Sequence, residues 1–491
     1  SLRLAIRAGS AHELGPETGV AHFLEHMLFN GTERFPENEL IDVLREFGAE
    51  FGPDINAYTG YDETVYELLV PNDGDSLELA LDVLHEWLTS ATLDESQVAA
   101  ERGVVLDEWR NSTQSVDGRL FDLATEHYLA DTRYAGRPPI GTAESIRTME
   151  AATLRAFYDT WYRPDNAAVV VVGDVDVAAT VALITERFGD VAPPATTLPE
   201  PRPAEFTPFT EPGFALHADP DQTTVDVEVT LALPAVEGAG TAPLRARLLD
   251  EVIFDALVRR LARDAATGDA PFDGVVEGSN SFVAGLDAPA LYAFTDAAGA
   301  ADTLRALLDE YERTHRYGFD ADEIAVAVAA ARSTYDTLLG PDGEAQDWEL
   351  ADRFVHRFLS GEPAPARHVA HALVTAELNE VDVASANARF NARYTNTAPQ
   401  VIISAPAAQA DAVPGEEDVL AAIAATADRQ LEPRGAGPSV PDALMERPAG
   451  VEPTAERSMS DVPWDLFDPI EYTYPNGARV VLVPNDIAQG E

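Results

Sequence analysis

The stretch "APPATTLPEPRPAEFTPFTEP" at 192–212 holds seven prolines in 21 positions. Proline fixes φ and has no N–H to donate, so neither a helix nor a central strand runs through such a segment. It reads as a linker, and the chain on either side shows the same order of elements. Before it, Leu2, Leu4 and Ile6 alternate as in a half-buried strand. Helical patterns follow near 17–29, 37–48, 75–89, 95–128 and 150–162, and "AAVVVVGDV" at 167–175 has the length of a buried strand. After it, strand patterns at 214–234, 288–297 and 399–406 frame helices near 242–264, 301–315 and 321–339. A chain of 491 residues is too long for one core, and 46% hydrophobic residues suffice for two or three. Two units of mixed helix and strand are expected, over 1–200 and 213–426.

From about 427 the chain turns Pro-, Gly- and acid-rich, which predicts a linker over 427–464. Strand signals then resume: "IEYTYPNGARVVLVPND" at 470–486 sets a Pro-Asn-Gly turn between two alternating runs. A hairpin of this kind opens a new unit, so 465–491 reads as the truncated start of a further repeat. It would feed a strand like "SLRLAIRAGS", where this chain begins, so the first repeat is expected to have lost its own hairpin. A signal peptide would lie upstream of Ser1, so its absence says nothing.

Charge and composition exclude several functions. All 33 cations are arginine, set against 85 acids, for a net charge of −52 that repels nucleic acid and anionic lipid. No run approaches the roughly 18 apolar residues of a membrane span. With no cysteine, disulfides, thiolate metal sites and cysteine nucleophiles are ruled out, while oxidising and reducing compartments both stay open. The phosphate-loop, nucleophile-elbow and dinucleotide motifs are absent.

The chemistry concentrates in "GVAHFLEHMLFNGTERF" at 19–35. On a helix, His22 and His26 at i and i+4 share a face and offer two imidazoles to one ion, with Glu25 beside them. Solvated histidines on a surface helix are the alternative, but Phe23, Leu24, Met27, Leu28 and Phe29 argue for burial, where such groups need a partner. Imidazole and carboxylate suit zinc, which lowers the pKa of a bound water to about 7 and gives Glu25 a proton to take. In "QVAAERGVVLDEWRNS", Glu101 and Glu108 lie seven apart on nearly one helical face. One would be a ligand and the other its support, in an order that spacing leaves open; an exposed acidic stripe is the competing reading. His356, His368 and His371 lack an acid at a ligand offset and read as surface residues.

"AHFLEHMLFNGTERFPENEL", "INAYTGYDETVYELLVP", "ERGVVLDEWR", "RPPIGTAESI" and "WYRPDNAAVVVVGDVD" resemble, in order, the blocks of the insulinase/pitrilysin family of inverted-motif zinc peptidases. The resemblance covers about residues 1–180; 215–410 is similar only in general pattern. It implies an α+β fold of two similar αβ-roll domains, of the insulinase and mitochondrial-processing-peptidase type, with mostly antiparallel sheets and helices packed on one face. The first would be catalytic and the second non-catalytic. The resemblance makes His22, His26 and Glu108 the ligands of one zinc, Glu25 the base on its water, and Glu101 a supporting partner. The interval from His26 to Glu108 is a few residues longer than is usual in the family, which a surface insertion would absorb. It further implies that Asn56 and Ala57, on an edge strand, offer main-chain groups to an extended peptide; an ordinary alternating strand is the plainer reading.

The expected function is a zinc-dependent endopeptidase acting on peptides or unfolded segments. The chain would be the catalytic N-terminal half of a two-half bacterial protein, completed by a homologous half in the same chain or in a partner subunit. The alternative is a non-catalytic structural or binding subunit of the same fold. The reading leans towards an extracytoplasmic compartment, periplasm or cell envelope.

Overall fold

A computed structural model describes residues 1–36, 39–46, 49–50, 52–199, 206–340, 345–435, 449–459 and 469–483. The first domain runs β1 (Leu2–Ile6), α1 (Val20–Asn30), α2 (Glu39–Glu46), β2 (Ile55–Thr59), β3 (Thr64–Leu68) and α3 (Gly74–Thr89). It continues through α4 (Glu95–Thr113), α5 (Val116–Leu129), α6 (Ala143–Thr148), α7 (Ala151–Trp161), β4 (Ala167–Val171) and α8 (Val177–Phe188). The strands form an antiparallel sheet in the order β2-β3-β1-β4, which leaves β2 on an edge.

Strand alternation sorts the side chains of this sheet. Leu2, Leu4, Ile6, Tyr66 and Leu68 enter a core with Phe23, Leu24, Met27 and Leu28 of α1 and Trp87 of α3. Trp87 keeps its indole N–H satisfied on the Leu28 carbonyl oxygen at 2.9 Å. The helical stretch expected over 95–128 is two helices, because Ser115 caps α5 by accepting from the Gly118 N–H at 2.9 Å. A Cβ on Gly118 would lie 1.7 Å from the Ser112 carbonyl oxygen, so the bend requires glycine.

The second domain comprises β5 (Gly213–Asp219), β6 (Val225–Thr230), β7 (Leu233–Pro234), α9 (Thr241–Thr267), β8 (Gly274–Ser279), β9 (Leu286–Asp287) and β10 (Pro289–Thr295). There follow α10 (Ala300–Tyr317), α11 (Ala321–Leu339), α12 (Asp347–Ser360), α13 (Arg367–Leu378), α14 (Val383–Arg393), β11 (Gln400–Pro406) and α15 (Glu416–Thr426). Its sheet, β5-β11-β6-β10-β8, is antiparallel except for the parallel pair β5 and β11. The chain is thus two similar αβ domains with antiparallel-rich sheets.

Two contacts lock the domains together. Buried Glu228 on β6 accepts from Tyr128 of α5 at 2.8 Å, from Thr230 at 2.6 Å and from Asn280 at 2.5 Å. On the reverse of the first sheet, where Arg3, Ala5, Arg7 and Val65 point, the second domain lays down α12. Val355 packs on Ala5 and Val65, Arg3 reaches both Glu67 and Asp352 at 3.1 Å, and the Arg7 guanidinium sits 4.0 Å above the Phe358 ring. The first domain's own helices thus pack on one face of its sheet, and a helix of the second domain covers the other.

Past α15 the chain stays tied to the second domain. Arg429 pairs with Asp309 at 2.5 Å, and Arg434 with Asp264 and Glu310, each at 2.7 Å. A three-stranded antiparallel sheet follows: β12 (Ala455–Ser458), β13 (Ile470–Thr473) and β14 (Arg479–Leu482). The β13–β14 turn carries Gly477 at φ +81°. Of the stretch read as a linker, 427–464, residues 436–448 and 460–464 lie outside the described residues and β12 supplies a strand; 484–491 also lie outside.

Candidate metal centre

Helix α1 begins at Gly19, which has φ 78° and no side chain to cap with. Glu13, from the preceding loop, supplies the cap instead: one carboxylate oxygen accepts from Val20 N at 2.7 Å and Ala21 N at 3.3 Å. The helix is almost wholly buried, including His22 and Glu25. Such groups stay only if they are paired.

The pairing comes from α4. Glu108 lies 3.4 Å from His22 Nε2 through one oxygen and 3.1 Å from His26 Nε2 through the other. Glu101 meets the opposite ring nitrogen, His26 Nδ1, at 2.9 Å. Its second oxygen accepts from Asn30 Nδ2 at 2.6 Å. Ligand atoms of His22, His26 and Glu108 lie within 4.8 Å of one another, the only such group of three or more among the described residues. Glu25 stands beside them and accepts from Thr59 Oγ1 of β2 at 2.6 Å.

The electrostatics fit a site shaped for a cation. Burial opposes charge on His26, but its hydrogen bonds to the Glu101 and Glu108 carboxylates prevail and raise its pKa to about 10. Hydrogen bonds from His22 and His26 hold Glu108 far below the usual carboxylate range. Burial raises Glu25, against the pull of His22 and the Thr59 hydrogen bond. Two imidazoles and a carboxylate, converging with ionised acids around them, are a donor set that suits zinc.

β2 runs alongside. Gly60 N donates to the Glu63 carbonyl oxygen and Leu69 N to that of Asp54, so in this antiparallel register Asn56 and Tyr58 bond inward to β3, while Ala57 and Thr59 turn their main-chain groups to the open edge. Asn56 reaches the edge by its side chain, whose oxygen accepts from Ala57 N at 3.0 Å. Three residues here went unnoticed in the sequence. Asn30 continues the i, i+4 row of His22 and His26, and Thr59 follows Ala57 by strand alternation, so periodicity could have found both. Glu13 caps α1 from outside any motif. His356 pairs with Glu362 at 3.5 Å and His371 with Asp336 at 2.7 Å, while His368 is exposed.

The fold has counterparts among known proteins. Residues 1–137 fit the family description "Insulinase (Peptidase family M16)" and residues 148–331 fit "Peptidase M16 inactive domain". Over 193 residues, the chain is 42% identical to "Probable zinc protease PqqL" of Haemophilus influenzae, a match covering 39% of this chain and 21% of that one. It is 31% identical over 366 residues to "Zinc protease PQQL-like" of Arabidopsis thaliana, covering 74% and 35% respectively. The crystal structure of the first half of the periplasmic protease PqqL from Escherichia coli superposes with TM-score 0.81 at 26% identity, over 88% of this chain and 93% of that one. Against the whole Escherichia coli protein the TM-score is 0.82 at 25% identity, over 100% of this chain and 53% of the other. The chain spans well under two thirds of the length of these two curated relatives, and about half of that whole structure. No helix among the described residues is long and apolar enough to cross a membrane.

Proposed function

Since this chain belongs to the insulinase family, peptidase family M16, we propose that it is the catalytic half of a zinc-dependent endopeptidase acting on extended or unfolded peptide segments. The observation that carries the proposal is the convergence of His22, His26 and Glu108, with Glu25 held beside them by Thr59. His22, His26 and Glu108 would hold one zinc per chain, and Glu101 would fix the His26 ring through Nδ1. Bound zinc supplies Lewis acidity towards a peptide carbonyl and lowers the pKa of water. Glu25 is the proton acceptor, and its burial raises its basicity for that task. The open edge of β2 would align the substrate main chain beside Glu25 by strand addition.

The alternative, a non-catalytic subunit, fits the first domain poorly, because every group the chemistry needs is present and in reach. The description "inactive domain" falls on the second unit, where the described residues bring together no metal-binding group. A second homologous half, in the same chain or as a partner, would complete the substrate chamber. An extracytoplasmic site of action is proposed from the relatives described as periplasmic. The direct test is Glu25→Gln: peptide hydrolysis should fall at least 10³-fold, roughly the scale of a lost general base, with zinc content unchanged. Retained hydrolysis places the base elsewhere, and loss of zinc gives Glu25 a structural role.

A further inference from the structure

On the side of the first sheet turned away from α1, a cleft of about 850 Å³ opens between the domains. Tyr58, Gly60 and Glu63 line it on the sheet side, and Phe282, Asp352 and His356 face them. The β2–β3 register puts Tyr58, Gly60 and Glu63 on one face. Residues directly opposite one another in antiparallel strands also share a face. The peptide residue lying opposite Tyr58 on the open edge therefore points into this cleft, and its neighbours opposite Ala57 and Thr59 point towards α1.

Most charges around the cleft are already answered. Asp62 pairs with Arg133, Asp165 with Arg163, and Asp352 shares Arg3 with Glu67. Arg7 stacks on the Phe358 ring and donates to the Phe358 carbonyl oxygen. Glu63 has no ion pair among the described residues. Its carboxylate lies across the end of the edge strand, in the space that Gly60 leaves open: a Cβ there would stand 2.3 Å from Glu63 Oε1. Burial, then the nearby charge of Asp62, raises the Glu63 pKa, as befits an acid without its counter-ion.

We propose that this cleft is a side-chain subsite for an arginine or lysine of an extended peptide, with Glu63 as counter-charge and the half-exposed Tyr58 ring as the bed for the aliphatic stem. The proposal rests on the peptidase reading and on β2 as the docking edge. It names the substrate class as cationic peptides, which a net charge of −52 would also attract from a distance at low salt.

The test uses full-length, zinc-loaded protein carrying Glu25→Gln, titrated with fluorescent unstructured peptides that differ only in Arg, Leu or Glu at one scanned position. Wild-type kcat/KM is measured for the same set. At one position Arg should bind about tenfold more tightly than Leu, which is 1.4 kcal/mol. Glu63→Gln should bring the Arg/Leu ratio to near one, and Glu63→Asp should retain part of it. Equal affinity at every position, a preference for Glu, or an Arg preference that survives Glu63→Gln would overturn the subsite. If the wild type cleaves nothing yet binding shows the Glu63-dependent Arg preference, the peptidase reading fails and the subsite stands. Cleavage of all peptides at one rate, with no binding preference, has the opposite meaning.

Discussion

His26 is held at both ring nitrogens, by Glu101 at Nδ1 and Glu108 at Nε2, whereas His22 Nδ1 is buried without a hydrogen-bond partner among the described residues. The two carboxylates therefore act differently. Glu108 reaches both Nε2 atoms, and its loss should empty the site. Glu108→Gln and His22→Ala are each expected to abolish stoichiometric zinc in metal analysis after dialysis. Glu101→Gln should weaken zinc affinity only roughly 10–100-fold, as changes to groups behind the ligands do. Full zinc occupancy in Glu108→Gln would mean that another residue supplies the third ligand. The i, i+4 histidines and the acid between them were legible in the sequence, because a buried apolar helix tolerates such groups only around a partner. The choice between Glu101 and Glu108 was not legible from spacing: seven residues on a helix return to the same face, and only the position of α4 against α1 separates them.

Helix α1 presents the row of His22 and His26, yet its N-terminus is held from outside by Glu13. That cap was invisible in the sequence, since Glu13 lies beyond any capping-box offset and is brought in by tertiary folding. Burial raises the Glu13 pKa from 4.5 to about 7, against the Ala21 N–H and Arg137. A carboxyl whose folded pKa exceeds its unfolded value takes up a proton on folding. Its favourable contribution is complete below about pH 4.5 and is lost as pH rises through about 7. Glu13→Gln keeps an acceptor for Val20 and Ala21 without titrating. Relative to this variant, the wild type should lose up to about 3 kcal/mol of stability between pH 4.5 and 8, read from paired urea-unfolding curves. A constant gap across that range would mean that Glu13 is ionised throughout. The positions of α3, α7, α9, α10 and α11 followed from hydrophobic periodicity, but α12 was not anticipated. Its apolar residues serve a sheet in the other domain, a demand that no local pattern announces.

β14 carries Val480, Val481 and Leu482, each between 46% and 53% exposed. A strand that is apolar on both faces belongs inside a larger sheet with cover on each side. This exposure bears on the proposal that a second homologous half completes the substrate chamber. Hydrolysis of an unstructured peptide by residues 1–491 is accordingly expected to rise by orders of magnitude when that half is restored in cis or in trans at equal zinc occupancy, because positioning the scissile bond supplies several kcal/mol. Equal rates would make the chain a self-sufficient unit. The packing of α12 on the first sheet also bears on how the molecule is made. That sheet is complete once Val171 has been synthesised, but its cover starts only at Asp347. At roughly 5–20 residues per second, a ribosome leaves Ala5, Val65 and the Tyr58 wall bare for about 10–35 s. During that interval the nascent chain already has His22, Glu25, His26 and Glu108 but no far wall to the cleft beside β2, so under the proposed function selection of substrate would arrive later in synthesis than the groups that would cut it.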